Sequence, residues 1–329
     1  MTYRSTIARQ PEALADTLAS VTTTLPDRTP GTLGDGVIAV TGIGASLAAA
    51  RIGAAELRRL GRRALACAPG EVIARPALVD GLIGLSHRGR SVETVEAFDA
   101  LGAGTTLAIT KDPESPLAKA ADIHVHMDNG EDATPSATGY TCTLLAQAVL
   151  FEAMAGVRDT DWPRLIDAAA TCLDDAADAM ARLEAQFASR RAIDCVAGAE
   201  AAGTAVEAAL LLREAVRLPA CGFETRDYLH GPMEPMDGQT GVVVFGAARE
   251  VQLAGDLAAL GCPTLLVTGA QDVPAADLLT VIRVPAFASV AAQALIDILP
   301  AQLLAATLSD AAGLTDVPFR YRQSDTKLA

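Results

Sequence analysis

Two loops in the first half of the sequence combine serine hydroxyls with glycines just before a predicted helix. One loop, residues 41–46, contains Gly44 and Ser46, and the other, residues 86–91, begins and ends with a serine. Unpaired N–H groups and the positive end of the helix dipole attract anions there, and serine hydroxyls add hydrogen-bond donors. The loops could therefore bind a phosphate, although simple helix capping by Ser46 and Ser91 would use the same residue types.

A third group of hydroxyls, in residues 134–141, follows the last predicted strand of this half and includes Ser136 and Thr138. It opens a predicted helix, so it either caps that helix or closes the same sugar or phosphate pocket. The first loop is not the dinucleotide-binding G-x-G-x-x-G, because Leu47 stands in the last position, and no Gly-Lys-Ser/Thr of a P-loop follows.

An acid–base pair is available in the second half of the sequence. Glu214 ends an apolar helical face that includes Leu211, and a carboxyl beside apolar surface has a raised pKa, as a general base near neutral pH requires. His230 precedes Gly-Pro, a turn that could project an imidazole into a cleft. The alternatives are a solvated Glu214 beside Arg213 or Arg217, and a capping or packed His230.

The elements that must position these residues alternate between short apolar runs and helical patterns. Such alternation predicts βαβ units and a parallel sheet. A long amphipathic helix at 163–187 separates two such halves. The predicted strands are 36–44, 63–70, 81–87, 105–110 and 123–127, then 192–198, 241–246, 264–269 and 281–286.

The two halves also match each other in sequence. Residues 38–44 correspond to 192–198, and residues 66–67 correspond to 220–221 at the same offset. The match predicts two similar α/β lobes, with ligands bound beyond the carboxyl ends of the strands. We expect a helical N-terminal segment at 1–25, a first lobe at 26–158, a linker helix at 159–189, and a second lobe with a C-terminal tail at 190–329.

Composition restricts the class of protein. The 329 residues have a mean hydropathy of +0.29 and a net charge of −14, which predicts a folded chain that binds neither nucleic acid nor an anionic membrane. No signal-peptide core and no apolar run of ~18–20 residues is apparent. Six scattered cysteines without a C-x-x-C indicate buried small residues in a reducing cytoplasm, where we expect the protein to reside.

A metal site is not expected. His124 and His126 alternate on a predicted strand near Asp122 and Asp128, but no further ligand cluster accompanies them. Packing or surface placement of the two histidines explains them better, so no metal and no other cofactor is predicted.

Taken in order, these motifs resemble the double sugar-isomerase (SIS) domain family. The resemblance covers about residues 10–320 and implies an α/β fold of two tandem SIS lobes, flavodoxin-like, parallel-sheeted and three-layered. The family includes the isomerase half of glucosamine-6-phosphate synthase, SIS-type glucosamine-6-phosphate deaminases and phosphosugar ketose–aldose isomerases. The motifs that carry it are Ser86-x-x-Gly89-x-Ser91, Ser136-x-Thr138-Gly-Tyr-Thr141, Glu207-Ala-Ala-Leu-Leu-Leu-Arg-Glu214 and His230-Gly-Pro232.

The resemblance implies a role for each motif. Glu214 matches the base that moves a proton between C1 and C2 of an open-chain sugar, and His230 matches a ring-opening residue supplied by the neighbouring subunit of a homodimer. The predicted contacts to the sugar and its phosphate are Gly44, Ser46, Ser86, His87, Arg88, Gly89, Ser91, Ser136 and Thr138.

Some positions depart from the family pattern. His87 and Arg88 replace the usual Gln-Ser, so Arg88 could grip a phosphate in a bidentate manner or select another anion such as a sulfonate. Leu211 stands where a lysine is common. Lys327 in the tail does not align with the Schiff-base lysine of the synthase, so its role stays open. The glutaminase half of the synthase has no counterpart in the sequence, and we expect no glutaminase activity.

Three functions are compatible with these residues. The first is a phosphosugar aldose–ketose isomerase that acts through a cis-enediol(amine). An amino-sugar-phosphate deaminase of the glucosamine-6-phosphate type would use the same proton transfer and then release ammonia. A non-catalytic sugar-phosphate sensor would use only the binding residues, and the presence of both Glu214 and His230 argues against it.

Overall fold

The computed structural model describes residues 1–25, 33–102, 104–321 and 323–328, and in them it contains two parallel five-stranded sheets flanked by helices. The strands are β1 Ile38–Thr41, β2 Ala64–Cys67, β3 Gly81–Leu85, β4 Thr105–Thr110, β5 Ile123–His126, β6 Ala192–Ala197, β7 Ala220–Glu224, β8 Thr240–Phe245, β9 Thr264–Thr268 and β10 Leu279–Arg283.

The helices lie between and around the strands. They are α1 Tyr3–Ala8, α2 Gln10–Thr24, α3 Ala45–Arg59, α4 Pro69–Ala74, α5 Val92–Leu101, α6 Pro116–Ala120, α7 Thr138–Ala155, α8 Trp162–Phe187, α9 Ala202–Leu211, α10 Thr225–Tyr228, α11 Arg249–Ala259 and α12 Val290–Ala311. Short 3₁₀ turns occupy Pro76–Leu78 and Ala199–Ala201, and a π-helical turn, Leu212–Val216, extends α9.

The two sheets have the same topology. The order is β2-β1-β3-β4-β5 in the first and β7-β6-β8-β9-β10 in the second, with every pair parallel. Central strands are buried along their whole length, β1 in all four residues and β8 in all six, which explains why they are continuous apolar runs. The predicted fold class, two parallel α/β lobes, is therefore confirmed.

Helix α12 packs between the lobes, against α8, α7, α9 and α3. It is long and apolar enough to cross a membrane by length and composition, but 89% of its apolar window is buried inside the chain. That burial is the pattern of a core helix. The same apolar core includes residues of both sheets, such as Val40 and Val243, so the lobes pack together as one body.

Some elements differ from the sequence-based prediction. Strand β7 was not predicted, because it is an edge strand with half-exposed residues and an internal Gly222. Helix α4 was not predicted either. All six cysteines are free, but Cys221 is exposed and Cys67 half-buried, whereas burial was expected. The predicted start of the first lobe, residue 26, lies outside the described residues, and the domain boundaries stay a prediction.

Candidate active site

The two predicted anion loops lie side by side at the carboxyl ends of β1 and β3. Thr41 pairs with Gly84 across these strands, so the residues that follow them leave the sheet together. A Cβ on Gly42 would lie 2.9 Å from the Leu85 carbonyl oxygen and 2.6 Å from the Ser46 Cβ. The close approach of the two loops therefore depends on a glycine at position 42.

The hydroxyls of Ser46 and Ser91 in these loops do not cap the helices that follow. Ser91 occupies the N-cap position of α5. Its hydroxyl nevertheless makes no capping hydrogen bond to the residues of α5, which lie within the described part of the chain. Its Oγ lies 3.3 Å from the Ser86 Oγ, and the two residues are 6% and 5% exposed. Ser46 lies inside the first turn of α3, where Gly44 holds the N-cap position with φ +60°. The capping interpretation is thus wrong for both Ser46 and Ser91.

The His87 side chain is positioned by a chain of hydrogen bonds that runs through Asn129 to Thr138. Its Nε2 lies 3.0 Å from Asn129 Oδ1, and Asn129 Nδ2 donates to Thr138 Oγ1 at 2.9 Å. Thr138 is fully buried, and its hydroxyl is linked to His87 through Asn129. Burial lowers the pKa of His87, although nearby Asp132 opposes the shift, and the ring is neutral near neutral pH.

Asp132, which the sequence analysis missed, organises the third hydroxyl group. Its Oδ2 accepts from Ser136 Oγ at 2.5 Å and from the Gly139 N–H at 2.8 Å, and its Oδ1 accepts from the Ala137 N–H at 3.1 Å. These bonds close the 132–139 turn ahead of α7. Ser136 therefore has its hydroxyl engaged by Asp132, beside His87.

A cavity of about 350 Å³ opens beside the 86–91 loop, and its lining is rich in positive charge. Arg90 pairs with Asp112 at 3.6 Å, and Lys111 donates to the Gly130 carbonyl. Arg88 is exposed on this cavity, as expected of a group that meets an anion. Lys111 was not predicted, because β4 separates it from the loop in sequence. The lining residues are His87, Arg88, Arg90, Lys111, Asp112, Pro113 and Asp132.

Glu214 is half-buried in the π-helical turn that follows α9. Desolvation raises the pKa of its carboxyl to about 7. It lines a cavity of about 440 Å³ together with Arg213, Arg217 and residues 319–321. It also lines a narrow cleft that includes Thr134 and Pro135, so Glu214 adjoins the 132–139 turn.

A second carboxyl, Glu207, lies deeper on the same helical stretch. Within the described ranges, neither of its carboxylate oxygens has a hydrogen-bond partner, and the same is true of the hydroxyls of Tyr3 and Tyr140. Burial, and secondly the charge of Glu214, raises the pKa of Glu207 well above its ordinary value. Leu211, one turn further along the helix, is apolar and contributes no charge that would oppose this shift of the Glu207 pKa.

His230 is at the surface of the second lobe. It follows α10, its side chain is exposed, and it is not among the described residues lining either cavity that Glu214 lines. Neither of these two cavities contains both members of the predicted catalytic pair among its described lining residues. The pairing stays a prediction that requires a second copy.

The remaining histidines have structural partners. His124 Nε2 lies 2.9 Å from Thr110 Oγ1, and His126 Nε2 lies 2.9 Å from the Lys111 carbonyl oxygen. Across the described residues, no group of three or more His, Cys, Asp or Glu side chains is arranged to hold a metal ion. Both histidines thus brace the strand and loop that carry Lys111.

Comparisons with known proteins agree with this architecture. Residues 35–156 match the family model described as SIS domain. No curated protein matches the chain in sequence.

Three solved structures superpose on nearly its whole length. The C-terminal domain of glucosamine-fructose-6-phosphate aminotransferase from Francisella tularensis has a TM-score of 0.82 at 18% identity, covering 94% of this chain and 96% of that one. Glucosamine-6-phosphate deaminase from Thermotoga maritima has a TM-score of 0.80 at 20% identity, covering 98% of each chain. Tagatose-6-phosphate ketose/aldose isomerase from Escherichia coli has a TM-score of 0.79 at 20% identity, covering 98% of this chain and 97% of that one. The first lobe therefore contains a SIS domain, and the chain as a whole has the fold that these three structures share.

Proposed function

We propose that the protein is a phosphosugar aldose–ketose isomerase that transfers a proton between C1 and C2 of an open-chain sugar phosphate. The observation that carries the proposal is Glu214, a half-buried carboxyl with a pKa of about 7. It lines a cavity of the second lobe and a narrow cleft that it shares with Thr134 and Pro135 of the first lobe. A carboxyl that is partly ionised near neutral pH can both accept and return a proton, which a reversible isomerisation requires.

The anion loops supply the binding half of the mechanism. Ser46, Ser86, Ser91 and main-chain N–H groups near Gly44 anchor the phosphate. This leaves the sugar carbons to extend toward Glu214. General base catalysis contributes ~10²–10⁴-fold, and fixing the anchored substrate against the base contributes the remainder. The proton moves from C2 to Glu214 and returns to C1 through a cis-enediol(amine), while the proton of the C2 hydroxyl passes to O1. C1 is reduced as C2 is oxidised, so no net redox change occurs.

Ring opening is assigned to His230 of a second copy in a homodimer. The exposure of His230 and its absence from the cavities that described residues form around Glu214 support this assignment. A histidine at a subunit interface can protonate the ring oxygen while the enclosed sugar faces Glu214 of the other chain. The substrate is accordingly a sugar phosphate bound between two chains.

The test is an NMR screen of phosphosugars, including amino-sugar phosphates, in D₂O. The isomerase predicts exchange of the C2 proton for deuterium and appearance of the ketose or aldose partner. Release of ammonia from an amino-sugar phosphate would instead assign a deaminase. Saturable binding of phosphosugars with neither exchange nor ammonia would refute both enzymes and assign a sensor. Glu214→Gln is the control that removes the base.

A further inference from the structure

Residues 323–328, called here the tail segment, lie across the 86–91 loop. An antiparallel bridge joins Ser91 to Lys327. The Leu328 N–H donates to the Arg90 carbonyl oxygen at 2.9 Å, and the Val92 N–H donates to the Thr326 carbonyl oxygen at 3.4 Å. Because these bonds are between main chains, position 327 faces Ser91 whatever its side chain.

The Lys327 side chain turns toward the serine hydroxyls. Its Nζ donates to Ser91 Oγ at 2.9 Å, and that oxygen lies 3.3 Å from Ser86 Oγ. No carboxylate forms an ion pair with Lys327 among the residues that the structure describes. An ammonium has three donors, so a hydroxyl partner leaves donors for an anion.

The distribution of positive charge indicates which group the Lys327 ammonium could bind. The chain has a net charge of −14 and contains just three lysines. Lys111 contacts this loop through its main-chain N–H, whereas Lys327 contacts it through its ammonium. A phosphate ester carries about −1.5 to −2 charges near neutral pH. The two arginines of the loop, Arg88 and Arg90, line the neighbouring cavity, so Lys327 is the cation in contact with the paired hydroxyls.

We propose that Lys327 is a phosphate ligand, which acts with Ser86 and Ser91 on the anionic group of the substrate. The role is ionic, and no covalent bond to the sugar is formed. The proposal rests on the proposed function only for the identity of that substrate as a sugar phosphate. The tail segment thereby completes an anion site that the first lobe begins.

Binding of inorganic phosphate tests this without any turnover. Calorimetric or ³¹P NMR titrations compare the wild type with Lys327→Met, Lys327→Arg and, as a matched control, Lys119→Met, which removes an exposed lysine paired with Glu114. We expect Lys327→Met to weaken phosphate binding by roughly 10- to 100-fold. Lys327→Arg should retain most of the phosphate affinity, and Lys119→Met should bind phosphate as the wild type does. Added salt should reduce the difference in phosphate affinity between Lys327→Met and the wild type.

Three results would overturn the proposal. They are equal phosphate affinity of Lys327→Met and the wild type, absence of phosphate binding by the wild type, and capture of a sugar phosphate on Lys327 by borohydride, which would make the lysine an imine former. Equal melting temperatures of the variants ensure that the comparison concerns binding. If Lys327→Met loses phosphate affinity while the wild type turns over no phosphosugar, the anion site stands and the isomerase proposal fails.

Discussion

At the scale of single residues, two carboxyls on one helical stretch have different environments. Glu207 is fully buried without a hydrogen-bond partner in the described chain, and burial raises its pKa well above the ordinary value. Glu214, seven residues later, is half-buried and has a pKa of about 7. Different burial of neighbouring carboxyls is a common way to separate acid and base roles. Glu214 is therefore the group suited to accept a proton from carbon.

Replacing Glu214 by glutamine tests that role. Glu214→Gln keeps the size and polarity of the side chain but removes the base, so we expect turnover to fall at least ~10²-fold with phosphosugar binding retained. Exchange of the C2 proton and calorimetric binding measure the two effects separately. Glu184→Gln, on the exposed face of α8, is the matched control and should behave as the wild type. A near-normal rate in Glu214→Gln would show that another group is the base.

The raised pKa of Glu214 also predicts how activity and stability depend on pH. The base must be ionised, so kcat/KM should rise with pH through about 7. The unfolded chain releases this proton near the ordinary value of 4.5 while the folded chain holds it to about 7, so stability falls as pH rises between these values.

Glu214→Gln should therefore be more stable than the wild type by about 1–3 kcal/mol near pH 8, because no buried charge remains. This difference in stability should shrink toward about pH 5, where the folded wild type holds a neutral Glu214 carboxyl and the variant holds a neutral amide. Urea unfolding at the two pH values measures this. A constant difference at both values would mean that the carboxyl does not titrate between them.

At the scale of elements, the site is assembled from the carboxyl ends of neighbouring parallel strands. The 41–46 and 86–91 loops follow β1 and β3, and the 132–139 turn, held by Asp132, supplies the next wall. Gly89, with φ +63°, lets the second loop turn back against Ser115. These contacts position the serines more rigidly than a free loop would.

Gly42→Ala tests the contact between the two loops. The added methyl would meet the main chain at Leu85 and Ser46, neither of which can swing away, so we expect a loss of about 1–3 kcal/mol of stability and weaker phosphate binding. Gly70→Ala is the control, because it is a helical position with no atom within 4 Å of the new methyl, and it should be neutral or stabilising. Equal behaviour of the two variants would contradict a tight contact at Gly42.

At the scale of the whole molecule, one apolar core joins both lobes, and α12 lies between them. A single chain therefore presents Glu214 and the anion loops in a fixed relation. His230 is on the outside of that body. Under the proposed function, the acid–base pair of Glu214 and His230 is completed by a second copy, and closed two-fold pairing is the commonest way for a chain to supply one.

Mixing two inactive variants tests the shared site. Glu214→Gln and His230→Ala chains, each inactive alone, should regain roughly a quarter of wild-type activity when exchanged in equal amounts, because a mixed dimer holds one intact site. Native mass spectrometry verifies that mixed dimers form. Mixed dimers without recovered activity would place the histidine and the carboxyl of each site on the same chain.

The sequence by itself determined the architecture and the candidate loops. Buried parallel strands such as β1 and β8 are continuous apolar runs bounded by glycines, and the pattern is local, so both sheets could be predicted. Strand β7 could not, because an edge strand with Gly222 lacks that pattern. The serine-containing loops followed because helix starts carry a local signal.

Only the tertiary structure decided which side chains meet. Ser91 and Lys327 are 236 residues apart in sequence, and no periodicity relates them. Asp132 and Lys111 likewise join the site through the packing of α7 against strand β4 of the first sheet. The pKa of Glu214 depends on how much water the surrounding helices exclude. Local patterns specify strands and turns, whereas proximity and desolvation are properties of the packed chain.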